Sequence, residues 1–154
     1  MTQTSTPAGF TRAEPEDAEA LLELARRSYE IYVPVIKAIP LPMSADYGAM
    51  VRDHEVWIIR SQGAIAASLV LIHEPDHLMI ESIAVDPDHQ GSGYGRELLD
   101  WAGRRAEALN LPEMRLYTNF LMTRNRAWYK RAGFTETHIE QRGDKRVVHM
   151  RRPL

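Results

Sequence analysis

Three glycines at alternate positions, Gly91, Gly93 and Gly95, follow a β-prone segment in VDPDHQGSGYGRELL and precede a segment with helical spacing. Glycine has no Cβ atom, so the backbone N–H groups of such a turn can converge on a ligand. The N-terminus of the following helix adds unpaired N–H donors and partial positive charge. The stretch therefore predicts an anion site, most often one for phosphate.

The spacing of this glycine loop differs from two common nucleotide-binding motifs. A dinucleotide fingerprint requires G-x-G-x-x-G within a βαβ unit, whereas here the third glycine comes one residue early, after a series of predicted antiparallel strands. A Walker loop requires a lysine after its last glycine, and no lysine follows Gly95. Both a Rossmann site and an NTP-hydrolysing site are therefore disfavoured.

A second stretch, NRAWYKRAGF, places Asn125 and Tyr129 four residues apart, so a helix puts both on one face. A buried Tyr129 hydroxyl needs a polar partner and could lie near the ligand of the glycine loop. In the alternative interpretation Trp128 and Tyr129 are core aromatics, and Gly133 caps the helix with Phe134 as its hydrophobic partner. We favour packing roles for Trp128, Gly133 and Phe134, and both roles stay open for Tyr129.

His73 and His77 bracket HEPDH, which matches the H-E-x-x-H zinc signature. That signature requires a helix that places both histidines one turn apart on one face. Pro75 lies between them, and proline is tolerated only in the first turn of a helix. We therefore interpret HEPDH as a connection between two strands with two solvated histidines and expect no metal. A zinc hydrolase is the alternative, which bound zinc in the purified protein would reveal.

The elements around these motifs follow the order β, α, α, β, β, β, α, β, α, β, β. After Pro15, apolar residues at three- and four-residue spacing predict an amphipathic helix, and a proline-rich loop leads to a short helix around Ala45 to Arg52. EVWIIR and AIAASLVLI predict a hairpin that turns at SQG, and HLMIESIAV predicts the next strand. A helix follows the glycine loop. The chain then continues with strand EMRLYTN, helix TRNRAWYKRA and the strand pair FTETHIEQ and KRVVHMRR.

Length and composition limit the kind of protein that this chain can be. A chain of 154 residues with 44% hydrophobic and 26% charged residues is typical of a globular protein of one domain. We expect residues 1–7 to form a flexible tail and residues 8–154 a single domain. The chain has no cysteine, which excludes a disulfide scaffold, thiolate metal ligands and a cysteine nucleophile.

Charge and hydropathy argue against two further kinds of partner. The net charge of −2 gives no global basic field, so we expect no nucleic-acid partner. The N-terminal residues are polar and no stretch approaches 18 apolar residues, so we expect neither a secretory signal nor a membrane partner. A cytoplasmic protein fits these features.

IAVDPDHQGSGYGRELL and NRAWYKRAGF, in this order and at this separation, resemble the GNAT (GCN5-related N-acetyltransferase) superfamily over almost the whole chain after the tail. The first stretch is similar to the family's acetyl-CoA loop, Q/R-x-x-G-x-G/A, through Gln90, Gly93 and Gly95. The second is similar to its C-terminal helix with Tyr129. The resemblance implies an α/β fold with a mixed, mostly antiparallel central sheet, a splay between the central strands and helices on both faces.

The resemblance also implies how acetyl-CoA binds as co-substrate, without a metal. Backbone N–H groups of the glycine loop hold the pyrophosphate, and the preceding strand pairs with the pantetheine arm. Asn125 hydrogen-bonds the cofactor or orders the site. The implied cofactor-binding residues are Ile83, Ala84, Val85, Gln90, Gly91, Ser92, Gly93, Tyr94, Gly95, Arg96 and Asn125.

One catalytic residue follows from the same resemblance, and a second from the need of the reaction for a base near the thioester. Tyr129 protonates the leaving thiolate, since a phenol with a pKa near ~10 can deliver a proton to a thiolate whose conjugate acid is near ~8.5. Glu81 is the candidate base for the ammonium of the acceptor, with water as the alternative. Strand alternation puts Glu81 on the same face as Ile83 and Val85, so a structural role or a contact with a dimer partner also stays open for it.

The acceptor pocket is expected in the loop after the first helix and at the ends of the central strands. The substrate-binding residues predicted there are Tyr29, Tyr32, Tyr47 and Asn119, with Asp46 and Tyr117 beside them. Aromatic side chains and a carboxylate suit a cationic amine or an amino-acid-like substrate. We expect direct transfer of an acetyl group from acetyl-CoA to a primary amine of a small molecule or peptide, by a monomer or a homodimer. The alternative is a non-catalytic acyl-CoA-binding sensor on the same fold.

Overall fold

The chain folds into a mixed α/β structure in a computed structural model that describes residues 9–154. The strands are β1 (Phe10–Arg12), β2 (Glu55–Ser61), β3 (Ala64–His73), β4 (Leu78–Val85), β5 (Glu113–Asn119), β6 (Thr135–Arg142) and β7 (Lys145–Pro153). The α-helices are α1 (Ala18–Tyr29), α2 (Val33–Ile36), α3 (Tyr47–Asp53), α4 (Tyr94–Ala108) and α5 (Thr123–Arg131). The predicted tail, residues 1–7, lies outside the described residues.

All seven strands form one sheet in the order β1-β2-β3-β4-β5-β7-β6, and every neighbouring pair is antiparallel except β4 and β5. These two parallel strands pair only at Leu78 with Met114 and at Met79 with Arg115. Strand β4 nevertheless stays paired with β3 as far as Val85. The two central strands therefore splay apart after Met79, as the resemblance implies, and leave a cleft in the middle of the sheet.

Helices cover both faces of the sheet, which confirms the predicted fold class. Apolar residues of α4, such as Leu98, Leu99 and Trp101, pack with α5 on one face. On the other face Leu21 and Leu24 of α1 pack with α3. Each helix buries an apolar stripe against the sheet, as its sequence periodicity predicts. In the described part of the chain, none of the helices is both long and apolar enough to span a bilayer.

A β-bulge interrupts the alternation of β4. Ser82 pairs with Val70 and Ile80 pairs with Leu71, so Glu81 is an extra residue with no partner on β3. A bulge of this kind reverses the side-chain alternation beyond it. The prediction that Glu81 shares a face with Ile83 and Val85 is therefore wrong, because strict alternation assumes an unbroken strand.

The proline-rich segment after α1 contains more helix than the sequence predicts. Val33–Ile36 forms a single helical turn with a proline in its first positions, and Leu41–Ser44 forms a 3₁₀ turn. The predicted short helix begins at Tyr47 rather than Ala45, because Asp46 is its N-cap and accepts a hydrogen bond from the Ala49 N–H at 3.0 Å. An N-cap residue lies outside the helix that it caps.

The HEPDH segment connects β3 to β4, as predicted, and is not helical. His73 is exposed and pairs with Glu55. The prediction that both histidines are solvated is wrong for His77, which is buried and pairs through Nδ1 with Asp76 at 2.7 Å. The two histidines thus make separate contacts with protein carboxylates.

A buried ion pair joins α4 to the sheet. Glu55, only 3% exposed, accepts hydrogen bonds from Arg105 Nε at 2.8 Å and Arg105 Nη2 at 2.9 Å. The indole N–H of Trp57 donates a further bond to the same carboxylate at 2.8 Å. Burial alone would raise the pKa of Glu55, but the donors Arg105, Trp57 and His73 outweigh it and lower the pKa to about 2. The Glu55 carboxylate therefore stays charged beside the last turn of α4.

Candidate active site

The glycine loop turns the chain from the end of β4 into α4, and its glycines are needed for two different reasons. Gly91 and Gly93 have positive φ angles of 86° and 89°, which other residues rarely adopt. Gly93 is also the N-cap of α4. Gly95 lies within the helix, where an added Cβ would come within 3.3 Å of the Trp128 ring. The loop can therefore present its backbone N–H groups at the helix N-terminus.

An ion pair from α1 holds this loop in place. Arg27 contacts Asp86 twice, Nη1 to Oδ2 at 2.7 Å and Nη2 to Oδ1 at 3.0 Å. Asp86 Oδ1 also accepts the Asp88 N–H at 2.9 Å. The two partners lie 59 residues apart in the sequence, so no local pattern could have predicted the pair.

A cavity of about 490 Å³ lies between the loop, the open edge of β4, the end of α1 and α5. It would hold a cofactor that binds the loop. Most of the predicted cofactor-binding residues line it: Ile83, Val85, Gln90, Gly91, Gly93, Tyr94, Gly95, Arg96 and Asn125. Ala84 and Ser92 do not. The Ala84 side chain is buried in the core on the other face, and the exposed Ser92 hydroxyl donates to the His89 carbonyl.

Helix α5 adds residues that the sequence interpretation missed. Arg124, Trp128 and Arg131 line the cofactor cavity, although only a packing role was predicted for Trp128. Their spacing of four and three residues places them on one helix face, which is the signal that could have found them. The side chains of Arg126 and Lys130 instead pair with Glu136, at 2.7 and 3.2 Å.

A second cavity, of about 270 Å³, lies on the other side of β4 and is the candidate acceptor site. Its lining includes Tyr29, Tyr47, Asn119 and Tyr117, which belong to the set predicted for the acceptor pocket. Tyr32 instead lines the cofactor cavity, and the side chain of Asp46 caps α3. Apolar residues from the segment 36–50 complete one wall of the cavity.

Glu81 and Ser82 line the acceptor cavity, whereas Ile83 and Val85 line the cofactor cavity. The bulge at Glu81 thus turns its carboxylate away from the strand residues that follow. The Tyr117 hydroxyl lies 3.4 Å from Glu81 Oε1. Burial raises the pKa of Tyr117, and the nearby Glu81 carboxylate raises it further.

The two cavities meet at Tyr29, Asn125 and Tyr129, which line both. The Tyr29 hydroxyl donates to the Ile83 carbonyl at 2.8 Å, so this tyrosine supports the open edge of β4. Tyr129 is only 8% exposed, and no residue within 9–154 hydrogen-bonds its hydroxyl. Burial raises its pKa well above 10, so the phenol stays protonated. A neutral O–H donor therefore lies where a ligand of one cavity reaches the other.

The end of α5 forms as the packing interpretation of NRAWYKRAGF predicts. Gly133 has a φ angle of 99°, and the Phe134 N–H donates to the Tyr129 carbonyl at 3.0 Å. Phe134 is buried, with its ring edge-on to Tyr129 at 5.7 Å between centroids. The cap and this contact hold Tyr129 at the junction. Among residues 9–154, no group of three or more histidine or acidic side chains could hold a metal ion.

Comparison with known proteins agrees with this geometry. The family model described as "Acetyltransferase (GNAT) domain" matches residues 52–136, more than half of the chain. An amino-acid acetyltransferase of Azotobacter vinelandii is 30% identical over 128 residues, 82% of this chain, although the chain spans only 27% of that protein.

Two crystal structures share the fold. A GCN5-related N-acetyltransferase from Rhodopseudomonas palustris superposes with a TM-score of 0.79 at 20% identity, covering 100% of this chain and 99% of the other. The PaiA N-acetyltransferase of Thermoplasma acidophilum, in complex with coenzyme A, gives a TM-score of 0.75 at 16% identity, covering 94% and 98%.

Proposed function

Because the chain belongs to the GNAT acetyltransferase family, we propose that it transfers an acetyl group from acetyl-CoA directly to a primary amine of a small molecule or peptide. The observation that carries this proposal is the pair of cavities that meet at Tyr29, Asn125 and Tyr129. One cavity ends at the glycine loop and the other contains a carboxylate. An acyl donor and an amine could therefore meet at one point from opposite sides of β4.

The residues of the cofactor cavity fit acetyl-CoA, which supplies the acetyl thioester. The N–H groups around Gly91 and Gly93, at the N-terminus of α4, would bind the pyrophosphate. Arg96, Arg124 and Arg131 would add positive charge near the phosphates. The open edge of β4 at Ile83, Ala84 and Val85 would pair with the pantetheine arm as another strand does. The named relatives of this fold include a coenzyme A complex.

Tyr129 would act on the leaving sulfur. Its raised pKa keeps it as a hydrogen-bond donor at the junction of the cavities. As the carbon–sulfur bond breaks, its O–H would stabilise the developing thiolate and deliver the proton, and the phenolate, with its raised pKa, would regain a proton from water. Asn125 would order this site from the same face of α5, held by its bond from the Tyr32 hydroxyl.

Glu81 would act on the amine. The acceptor nitrogen must lose a proton before it can form the new bond to the acetyl carbon, and Glu81 is the acidic residue among the described lining of the acceptor cavity. Its place in the β4 bulge directs it into this cavity. The chain has no cysteine, which favours direct transfer over a cysteine-bound acyl intermediate.

Calorimetry with acetyl-CoA followed by a thiol-release assay with a panel of amines tests this function. We expect binding of acetyl-CoA and thiol release with at least one amine, and we expect Glu81→Gln to lower kcat. Glu107→Gln, an exposed acidic position on α4 that lines neither cavity, is the matched control. Binding without thiol release from any amine would instead favour the acyl-CoA sensor.

A further inference from the structure

The acceptor cavity contains charges of both signs. Among the described residues that line it, the charged ones are Glu81, Arg142 and Lys145. Neither Glu81 nor Lys145 forms a salt bridge with any residue in 9–154. Arg142 pairs with Glu140 at 2.9 Å. The cavity therefore presents a carboxylate and an ammonium group that are not neutralised by each other or by described neighbours.

These charges lie close together around Tyr117. The hydroxyl of this tyrosine is 3.4 Å from Glu81 Oε1, and its ring centroid is 4.7 Å from the Arg142 guanidinium carbon. Arg142 and Lys145 are register partners that bracket the turn between β6 and β7. Glu81 and Arg142 thus both lie beside Tyr117, and Lys145 is the register partner of Arg142. Groups of opposite charge in one cavity suit a positive and a negative group on one small molecule.

The rest of the cavity is apolar. Ile36, Ile39 and Leu41 form a wall on the segment after α1, and Leu116 and Val147 contribute from β5 and β7. Ile39 and Leu41 are 56% and 62% exposed, so this wall has apolar surface available at the mouth of the cavity. Burial of an aliphatic or aromatic group there is favourable at roughly 25 cal/mol per Å².

We infer that the acceptor amine carries an anionic group, a carboxylate in the simplest case, together with an apolar body. This inference rests on the proposed function. The amine lies at Glu81, where its proton is removed, and the carboxylate faces Lys145 and Arg142. Lys145 and Arg142 in the lining disfavour polyamines and other polycationic amines, since extra ammonium groups would meet like charge.

Pairs of amines that differ only in this charge test the inference. Leucine, phenylalanine and 6-aminohexanoate are each compared with their carboxamides. Thiol release is measured with acetyl-CoA, and binding is measured by calorimetry on the CoA-loaded protein. Spermidine serves as the polycation. The amine of an α-amino amide is less basic than the amine of the amino acid, so more of it is in the uncharged, nucleophilic form. This difference alone would favour the carboxamide, and it therefore opposes the preference that we expect. We expect kcat/KM at least about threefold higher for a carboxylate than for its carboxamide.

Lys145→Met removes the charge and keeps the length of the side chain. It should abolish the preference for the carboxylate, because kcat/KM should fall more for each carboxylate than for its carboxamide. Lys130→Met is the matched control, because Lys130 lines neither cavity and pairs with Glu136 on the surface. This variant should keep the full preference.

Equal or better use of the carboxamides or of spermidine by the wild type would overturn the inference and leave the proposed function intact. A carboxylate preference that survives in Lys145→Met and in Arg142→Met would also overturn it. Acetyl-CoA binding without thiol release from any amine would refute the proposed function, and the inference with it.

Discussion

The hydroxyl of Tyr32 donates a hydrogen bond to Asn125 Oδ1 over 3.0 Å, and so joins the 3₁₀ turn after α1 to helix α5 across the cofactor cavity. Both residues line that cavity, and Asn125 also lines the acceptor cavity. The bond connects residues 93 positions apart. It therefore fixes the distance between the two elements that flank the junction.

Tyr32→Phe should weaken this junction. A net hydrogen bond contributes about 0.5–1.5 kcal/mol, so we expect kcat/KM to fall about two- to tenfold. A double-mutant cycle with Asn125→Ala measures the coupling. If the bond carries the effect, the double variant should be no worse than Asn125→Ala alone, whereas fully additive losses would mean that Tyr32 and Asn125 act independently.

Tyr129→Phe should lower kcat by about 100-fold or more and leave the affinity for acetyl-CoA nearly unchanged, because only a proton donor to the leaving group is removed. Single-turnover thiol release and calorimetry separate these two effects. Tyr94→Phe is the comparison variant. Since Tyr94 lines only the cofactor cavity, the loss of its hydroxyl should act on acetyl-CoA affinity rather than on kcat. An unchanged kcat in Tyr129→Phe would remove the proton-donor role.

Gly93→Ala should weaken acetyl-CoA binding because a Cβ would project from the backbone that the pyrophosphate must approach. The control is Gly63→Ala in the turn between β2 and β3. Gly63 has a φ angle of 82° against 89° for Gly93, and an added Cβ meets nothing within 4 Å at either position. Both variants should lose similar stability in thermal melts. Only Gly93→Ala should lose affinity in calorimetry, and equal affinities in the two variants would place the pyrophosphate elsewhere.

The Glu55 ion pair should make the fold sensitive to acid. The pKa of Glu55 is lowered from 4.5 to about 2 in the folded chain, so its contribution to stability is present above pH 4.5 and is lost as the pH falls toward 2. A shift of this size corresponds to about 3 kcal/mol. Urea unfolding across this pH range should give a steeper decrease of stability for the wild type than for Glu55→Gln.

Glu107→Gln on α4, the helix that carries Arg105, serves as the control for this measurement, because its side chain is exposed. It should reproduce the slope of the wild type. At neutral pH, Glu55→Gln should be the less stable of the two variants, since it leaves the Arg105 guanidinium without its carboxylate. Identical acid profiles for all three proteins would contradict the assigned ion pair.

Most of the fold could be predicted from local patterns in the sequence. The continuous apolar runs of β2 and β3, which are buried on both faces of the sheet, the turn between them and the apolar spacing of α1 and α4 are all local signals. The family resemblance supplied what local patterns lack, the splay between β4 and β5. The bulge at Glu81 could not be predicted, because one extra residue on β4 is visible only in its pairing with β3.

The residues of the candidate site also divide into those that a local sequence motif predicts and those that it does not. Gly91, Gly93 and Tyr129 belong to motifs that are continuous in the sequence, and their positions follow from the loop and from α5. The contacts of Arg27 with Asp86 and of Tyr32 with Asn125 join distant segments and have no local signature. The same holds for Arg142 and Lys145, which reach the acceptor cavity only because β7 lies beside β5 in the sheet.

The most direct test of the proposed function is a single-turnover reaction of the protein loaded with acetyl-CoA that carries an isotopic label in its acetyl group. After mixing with the amine panel, mass spectrometry follows the label in the thioester, the protein and the amine. We predict that the label moves from the thioester to an amine, in step with thiol release and without appearing on the protein, and that Tyr129→Phe slows this transfer. Label that stays in the thioester with every amine, while acetyl-CoA remains bound, would contradict the proposed function.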